Sequence, residues 1–262
     1  MRIQGRKLYW GAAFLAALLV GCLLYWVNPT HRNTEGPIAH PQSTTGLLQL
    51  SDFTKLLSRK TPIDILVIGD ATGNGPDDWV HLLARRIADT GRYVAIRDWN
   101  LDASGYGEAV YYGAKDGKAV SIWNGSVSGL PSSYAADRWR DFAPKPNDLV
   151  MINHGHNETN AETAVEGISR LVRLSRTEVT RHTTVAVILQ NPRIDRESAR
   201  LAAIVSELRR SPDLSNAEEI DVNSAFAAQP NLGELLSSNG FHPNQRGEEL
   251  WAQVVSDRLG LT

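Results

Sequence analysis

Hydrophobic residues along this chain fall into two alternating patterns. Short, almost continuously apolar runs predict strands that are buried on both faces of a sheet, and residues 63–68 (IDILVI) are the clearest case. Further strands are predicted at residues 93–97, 119–123, 149–153, 184–189 and 220–222. Between them lie runs with helical spacing of apolar residues, at residues 79–87, 132–142, 160–181, 196–210 and 246–259. This alternation predicts a parallel sheet with helices on both faces.

The longest apolar stretch stands near the N-terminus. Residues 8–27 are 20 uncharged residues, which at about 1.5 Å per residue would cross a hydrocarbon core of about 30 Å. Arg2, Arg6 and Lys7 precede the stretch. The excess of positive charge predicts that residues 1–7 are cytoplasmic and that the rest of the chain lies outside the membrane. We therefore expect a single-pass signal anchor in the cytoplasmic membrane with an extracytoplasmic domain.

Two other interpretations of this stretch stay open. One is a cleaved signal peptide, and the other is a lipoprotein acylated at Cys22, because residues 19–22 (LVGC) resemble a bacterial lipobox. Both predict a shorter apolar core, whereas residues 23–27 continue the run. All three interpretations place the domain beyond the cytoplasmic membrane. Residues 28–46 have the composition of a linker, so the folded domain is expected at residues 47–262.

Composition narrows the classes of partner. There are 27 Lys and Arg residues against 29 Asp and Glu residues, a formal net charge of −2, so no net field favours nucleic acid as a partner. The hydrophobic fraction of 42% is ordinary for a domain that buries a core. Cys22 is the only cysteine, which excludes an internal disulfide framework.

Polar segments rich in glycine or asparagine follow several of the predicted strands, where ligands bind in open parallel sheets. They are residues 69–75 (GDATGNG), 124–129 (NGSVSG), 153–158 (NHGHNE) and, near the C-terminus, 239–244 (NGFHPN). Any one of them by itself is an ordinary turn. Their order and spacing together are a stronger signal than any single segment.

These segments resemble the four sequence blocks of the SGNH, or GDSL-type, hydrolases. Gly69-Asp70-Ala71 matches the Gly-Asp-Ser turn, Gly129 the second-block glycine, Gly155-His156-Asn157 the Gly-x-Asn block, and Asn239-x-x-His242 the Asp-x-x-His block. The resemblance spans residues 63–247. It implies a three-layer α/β/α sandwich with a mostly parallel, five-stranded, flavodoxin-like sheet, and a site for ester hydrolysis without a cofactor.

The resemblance also implies a role for each matched residue. The oxyanion would be held by the backbone N–H of residue 71, by Gly129 and by Asn157, while His242 would take the proton of the nucleophile. The residue types suit these roles, because glycine lets a backbone donor approach the substrate and an asparagine amide donates without charge.

Two working residues of the family pattern are missing. Ala71 has no oxygen with which to attack an ester, and Asn239 cannot accept charge from an imidazolium as aspartate does. In a triad that lacks a member, the residual rate over water is about 10³–10⁴. The candidate replacements for the nucleophile are Thr72, Ser126, Ser128 and a water activated by His242. We expect the chain as written to be inactive or weakly active.

Two further sets of residues allow more than one interpretation. His154 and His156 have a spacing that suits a metal site with His242 as a third ligand, but no fourth ligand is evident, so no metal is predicted. The aromatic residues between 99 and 139 suit a sugar platform, although packing under long loops is their more common use. The sequence GHN at residues 155–157 resembles that of carbohydrate-esterase members, which points to acylated sugars.

Two functions therefore stay open. In the first, the chain is an extracytoplasmic ester hydrolase of O-acyl groups on sugars, cell-envelope polymers or lipids, and Ala71 is an engineered or sporadic change from serine. In the second, it is a natural non-catalytic relative that binds an acyl group or a glycan, or that serves in the assembly of envelope enzymes. The expected partners are an acylated small molecule or glycan, and the membrane.

Overall fold

The computed structural model describes residues 49–59, 61–179 and 183–261. The predicted cytoplasmic segment, the anchor with Cys22 and the linker lie outside these residues. Among the helices of the described part, none has both the length and the hydrophobicity that a bilayer-spanning segment needs.

Strands and helices alternate in the described chain, as the hydrophobic pattern predicts. The strands are β1 (Ile63–Gly69), β2 (Arg92–Asn100), β3 (Gly105–Tyr106), β4 (Val110–Tyr112), β5 (Lys118–Ser126), β6 (Leu149–Asn153), β7 (Thr184–Leu189) and β8 (Glu218–Asp221). The helices are α1 (Phe53–Ser58), α2 (Trp79–Asp89), α3 (Ser132–Asp137), α4 (Trp139–Phe142), α5 (Ala161–Leu174), α6 (Ser198–Arg210), α7 (Val222–Ala227) and α8 (Gln245–Arg258). Short 3-10 turns lie at Leu50–Asp52, Pro212–Leu214 and Leu232–Leu235. A π turn, Ser175–Val179, follows α5.

The sheet is larger than the five strands expected. Within the described residues it has eight strands, in the order β3-β2-β5-β1-β6-β7-β8, with β4 pairing with β2. The run β5-β1-β6-β7-β8 is parallel and has the flavodoxin-like order 2-1-3-4-5. Strand β2 extends it in parallel beside β5, and β3 and β4 return antiparallel to β2. The hydrophobic pattern misses β3 and β4 because both are very short and none of their residues is fully buried.

Several element boundaries differ from the sequence prediction, and three of them have a local reason. The helix expected at 132–142 divides into α3 and α4 at Arg138, whose φ of −113° and ψ of 25° are not helical. The helix expected at 160–181 is α-helical only to Leu174, before the π turn. The last strand ends at Asp221, because its carboxylate accepts the Ser224 N–H at 2.8 Å and caps α7.

The central strand β1 divides the core into two layers. Ile65 and Val67 belong to the cluster that contains Trp79 of α2 and Trp251 of α8. Leu66 and Ile68 belong to the other cluster, formed with α3, α4, α5 and α6. Because side chains alternate along a strand, a strand that is covered on both faces is apolar at successive positions, which explains the continuous run at 65–68, whereas Asp64 near the start of β1 is only partly buried. The loops that follow the parallel strands meet at one edge of this sandwich.

Candidate active site

The segment after β1 forms a tight turn around Ala71. The Gly73 N–H donates to the Asp70 carbonyl at 3.3 Å. Asp70 and Thr72 are both buried, whereas Ala71 is partly exposed. A Cβ on Gly69 or on Gly73 would lie 3.0 Å from the Ser126 hydroxyl, so a side chain at either position would crowd this buried residue. The turn therefore presents residue 71 and directs its two neighbours into the protein.

A buried polar network lies under this turn. The Thr72 hydroxyl donates to the Asp70 carboxylate at 2.9 Å and accepts from the Asn153 amide at 2.9 Å. The Gln190 amide donates to the second Asp70 oxygen at 3.0 Å. The Thr72 hydroxyl is thus bound within the fold rather than available as a nucleophile. Gln190 was not predicted from the sequence, and the signal for it is only its position directly after β7.

Two of the three predicted oxyanion donors, Gly129 and Asn157, lie at neighbouring places on this edge. Gly129 is exposed and has a φ of +76°, which favours glycine, and no atom lies within 4 Å of the place where its Cβ would be. The Asn157 amide nitrogen is 3.5 Å from the carbonyl of Leu130, the residue after Gly129. Ser128 is exposed, whereas Ser126 is buried and its hydroxyl has no partner among the described residues.

Hydrogen bonds connect the third block to the segment after β7. Gln190 Oε1 accepts the His156 N–H at 2.7 Å and would lie 2.8 Å from a Cβ on Gly155, so this close approach requires a glycine. His156 Nε2 is 3.1 Å from the Asn191 carbonyl, to which it donates. Burial lowers the pKa of His154, and it lowers the pKa of His156 to about 4, so both rings are neutral at neutral pH.

The metal interpretation gains nothing from this arrangement. The described residues contain no group of three or more His, Cys, Asp or Glu side chains that could hold a metal ion. Because His156 Nε2 is directed at a backbone carbonyl, this nitrogen is not free to act as a ligand.

His242 lies in a short loop before α8, and Asn239 organises this loop. Asn239 Oδ1 accepts the Phe241 N–H at 3.1 Å and the His242 N–H at 3.0 Å. Asn239 Nδ2 lies 3.0 Å from His242 Nδ1. His242 Nε2 is buried and has no hydrogen-bond partner among the described residues.

Contacts through Phe241 hold the His242 loop against the other blocks. The Asn191 amide donates to the Phe241 carbonyl at 3.0 Å. The Phe241 ring lies 4.0 Å from the His242 ring and 6.0 Å from the His156 ring, between centroids, and the Arg193 guanidinium lies 4.7 Å from its centroid. The segments after β6 and β7 and the loop before α8 therefore meet at one place.

Electrostatics connect His242 with the turn around Ala71. Burial lowers the pKa of His242 and Arg193 adds to this effect, whereas the carboxylates of Asp70 and Asp78 oppose it. Since Asp70 belongs to the turn itself, the structure brings the fourth block within electrostatic reach of the first.

A cavity of about 600 Å³ is formed by the start of α2, the loop before α8 and the start of α8. Asp78, Ser237, Pro243 and Glu248 are among its lining residues. Glu248 Oε2 accepts the Trp79 N–H at 2.8 Å, which satisfies a donor in the first turn of α2. Burial raises the pKa of the Glu248 carboxyl to about 9, and the charge of Asp78 contributes to this shift.

Most of the aromatic residues that suit a sugar platform are packing residues instead. Trp99 and Trp139 are buried, and the Trp99 ring stacks on Phe142 at 4.1 Å between centroids. The half-buried Tyr106 donates its hydroxyl to the Phe142 carbonyl at 2.7 Å. Tyr111 differs from them, because it is 54% exposed.

Residues 64–250 match the model of the GDSL-like Lipase/Acylhydrolase family. No curated protein matches the chain by sequence. The match covers the segments that follow β1, β5 and β6 and the loop that carries His242.

Solved structures share the fold at low sequence identity. The lipase/acylhydrolase from Enterococcus faecalis is 20% identical with a TM-score of 0.57, and the match covers 76% of this chain and 96% of that one. A two-domain esterase active on acetylated mannans, crystallised with mannopentaose, is 16% identical with a TM-score of 0.58, over 81% of this chain and 53% of that one. A carbohydrate esterase family 3 protein from Talaromyces cellulolyticus is 18% identical with a TM-score of 0.53, over 75% of this chain and 96% of that one.

Proposed function

The chain belongs to the GDSL-like Lipase/Acylhydrolase family, and from this premise we propose that its site receives an O-acyl group of a glycan, a cell-envelope polymer or a lipid but hydrolyses it weakly or not at all. The observation that carries the proposal is the turn after β1. It presents Ala71 where the family pattern has serine, while the neighbouring Thr72 hydroxyl is bound to Asp70 and Asn153.

In this proposal the oxyanion donors and the histidine of an ester-hydrolysing site are retained. The N–H of Ala71, the N–H of Gly129 and the side chain of Asn157 hold the oxyanion, each donor being worth about 2.7–4 kcal/mol in the transition state. His242 stands where the family has its base. An acylated sugar is the favoured ligand, because two of the similar structures are esterases of carbohydrates by description.

Hydrolysis of p-nitrophenyl acetate and of acetylated xylan by the full-length chain tests the proposal. We expect the unaltered chain to accelerate hydrolysis by no more than about 10³–10⁴-fold over the uncatalysed reaction in water. The double change Ala71→Ser with Asn239→Asp restores the family pattern and should raise the rate at least about 10²-fold. Adding Asn157→Ala to that double variant should remove about 10²–10³ of the gain. An unaltered chain as fast as the double variant would contradict the proposal.

The second candidate is a non-catalytic protein that binds acylated glycans or helps to assemble envelope components. The observation that favours it is that positions 71 and 239 lack the nucleophile and the carboxylate of the family pattern. Gly155 and the hydrogen bonds of the His242 loop nevertheless maintain the geometry of the site. Binding of acetylated xylo-oligosaccharides without hydrolysis, together with a double variant that stays inactive, would favour this candidate.

We also propose that the protein is tethered to the cytoplasmic membrane with its folded domain outside, through the uncharged residues 8–27. Expressed in bacteria, the full-length chain should sediment with membranes, and protease should reach its domain from the outer side only. The mass of the chain extracted from membranes separates the two forms of tether. A signal anchor keeps residues 1–21, whereas a lipoprotein is cleaved before Cys22 and carries acyl groups on that residue.

A further inference from the structure

The amide group of Asn239 can have only one orientation in this loop. The backbone N–H groups of Phe241 and His242 are donors, and both lie 3.0–3.1 Å from the same side-chain atom of Asn239. That atom must therefore be the oxygen, because an amide nitrogen cannot accept these bonds. The NH₂ group is left to face His242 Nδ1 at 3.0 Å.

This orientation determines the tautomer of the imidazole. An NH₂ group has no lone pair to offer, so the bond at 3.0 Å forms only if His242 Nδ1 accepts it. A neutral imidazole that accepts at Nδ1 carries its proton on Nε2. In the aspartate form of the motif the assignment is reversed, since a carboxylate accepts from Nδ1–H and leaves Nε2 free as a base.

We propose that Asn239 holds His242 in the tautomer that donates from Nε2–H. The site then binds the carbonyl oxygen of an acyl group and lacks the base that ester hydrolysis needs. The ligand named here rests on the proposed function, whereas the tautomer does not. His242 Nε2 suits this role because it is buried and has no partner among the described residues.

The charges around His242 favour a neutral carbonyl over a free carboxylate. The charges of Asp70 and Asp78, in the segment after β1, act on the ring and raise its pKa, while Arg193, in the segment after β7, lowers it and is itself paired with Asp195. His156 faces it from the third block and is neutral. Among the described residues that act on His242, Asp70 and Asp78 are carboxylates and the cation Arg193 is already paired, so an anionic ligand would meet repulsion. An ester or amide carbonyl avoids this repulsion and still accepts the Nε2–H bond.

Nuclear magnetic resonance of the histidine nitrogens measures the tautomer directly. The full-length chain, labelled with ¹⁵N-histidine and held in detergent, has seven histidines, and His242→Gln identifies the His242 signals. Near pH 8 we expect two-bond proton–nitrogen spectra to show a protonated Nε2 and an unprotonated Nδ1. Asn239→Asp should move the proton to Nδ1 and raise the pH at which the ring titrates, because a carboxylate favours the charged imidazole.

Asn100→Asp is the matched control. Asn100 is also exposed, and its side-chain oxygen also accepts a backbone N–H, that of Ala103 at 3.0 Å. This variant should leave both the tautomer and the titration of His242 unchanged. A proton on Nδ1 in the unaltered chain would overturn the inference and leave the proposed function intact.

Binding of acetylated xylo-oligosaccharides, compared with the deacetylated sugars, tests the receptor role. The unaltered chain should prefer the acetylated form, and Asn239→Asp should weaken that binding about threefold to tenfold. If the double variant hydrolyses acetylated xylan but the unaltered chain binds the acetylated and the deacetylated sugars equally, the receptor role is wrong and the proposed function remains supported. If the double variant also fails to act, the proposed function fails with it.

Discussion

Restoring serine at position 71 should be nearly ineffective until position 239 is restored as well. In Ala71→Ser alone, the hydroxyl would meet a proton on His242 Nε2 instead of a lone pair. Freeing Nε2 requires the Asn239 amide to turn over, which breaks the bonds at 3.1 and 3.0 Å to Phe241 and His242. Each bond is worth about 1 kcal/mol net, and the turned amide would still carry no charge to stabilise the imidazolium.

The size of the effect follows from this geometry. An aspartate at position 239 can keep both backbone bonds with one oxygen and accept Nδ1–H with the other. In the serine-protease case, exchanging this aspartate for asparagine lowers turnover about 10⁴-fold. We therefore expect the double variant to exceed Ala71→Ser by about 10³–10⁴ in kcat/KM, which corresponds to about 4–5.5 kcal/mol. Asn239→Asp alone should stay at the rate of the unaltered chain, since it has no nucleophile.

Steady-state hydrolysis of p-nitrophenyl acetate by the four full-length proteins measures this cycle. Adding Asn100→Asp to Ala71→Ser controls for the added negative charge and should give no gain. The reasoning is refuted if Ala71→Ser alone comes within tenfold of the double variant, because the amide would then not restrain the histidine.

Three further changes test the surroundings of the site. Thr72→Val should leave hydrolysis unchanged. It should lower the free energy of unfolding by about 1–3 kcal/mol in chemical denaturation, because the buried partners of the hydroxyl lose their hydrogen bonds. A loss of residual hydrolysis would show instead that Thr72 acts as a nucleophile. Gly155→Ala should cost about 1–3 kcal/mol by crowding Gln190, measured in the same way, whereas an equal loss in Gly105→Ala, where the nearest atom to the added Cβ is 3.9 Å away, would contradict this account. Because the pKa of Glu248 rises from 4.5 to about 9 on folding, stability should fall by about 1.4 kcal/mol per pH unit between these values, as the unfolded chain binds fewer protons. Glu248→Gln should remove this slope in denaturation series at several pH values, and an unchanged slope would assign it to other groups.

The strands of the central sheet and the four blocks at their ends can be predicted from the sequence alone. Continuous apolar runs can be interpreted locally, because a strand buried on both faces has apolar residues on both of them, and the predicted ranges 149–153 and 184–189 are those of β6 and β7. The blocks were visible because each is a short, contiguous segment. The absence of an attacking oxygen at Ala71 needs no structure at all.

The hydrogen-bonding state of the candidate catalytic groups depends on the folded structure and cannot be predicted from the sequence. Gln190 donates to Asp70 across 120 residues of sequence, so no local pattern predicts the network that binds the Thr72 hydroxyl. The edge strands β3 and β4 were invisible because they bury no continuous apolar run. The direction of the Asn239 amide depends on which backbone N–H groups face it, and the loop conformation sets this. Residue identity shows which atoms are present, whereas folding decides which of them donate, which accept and which are already bound.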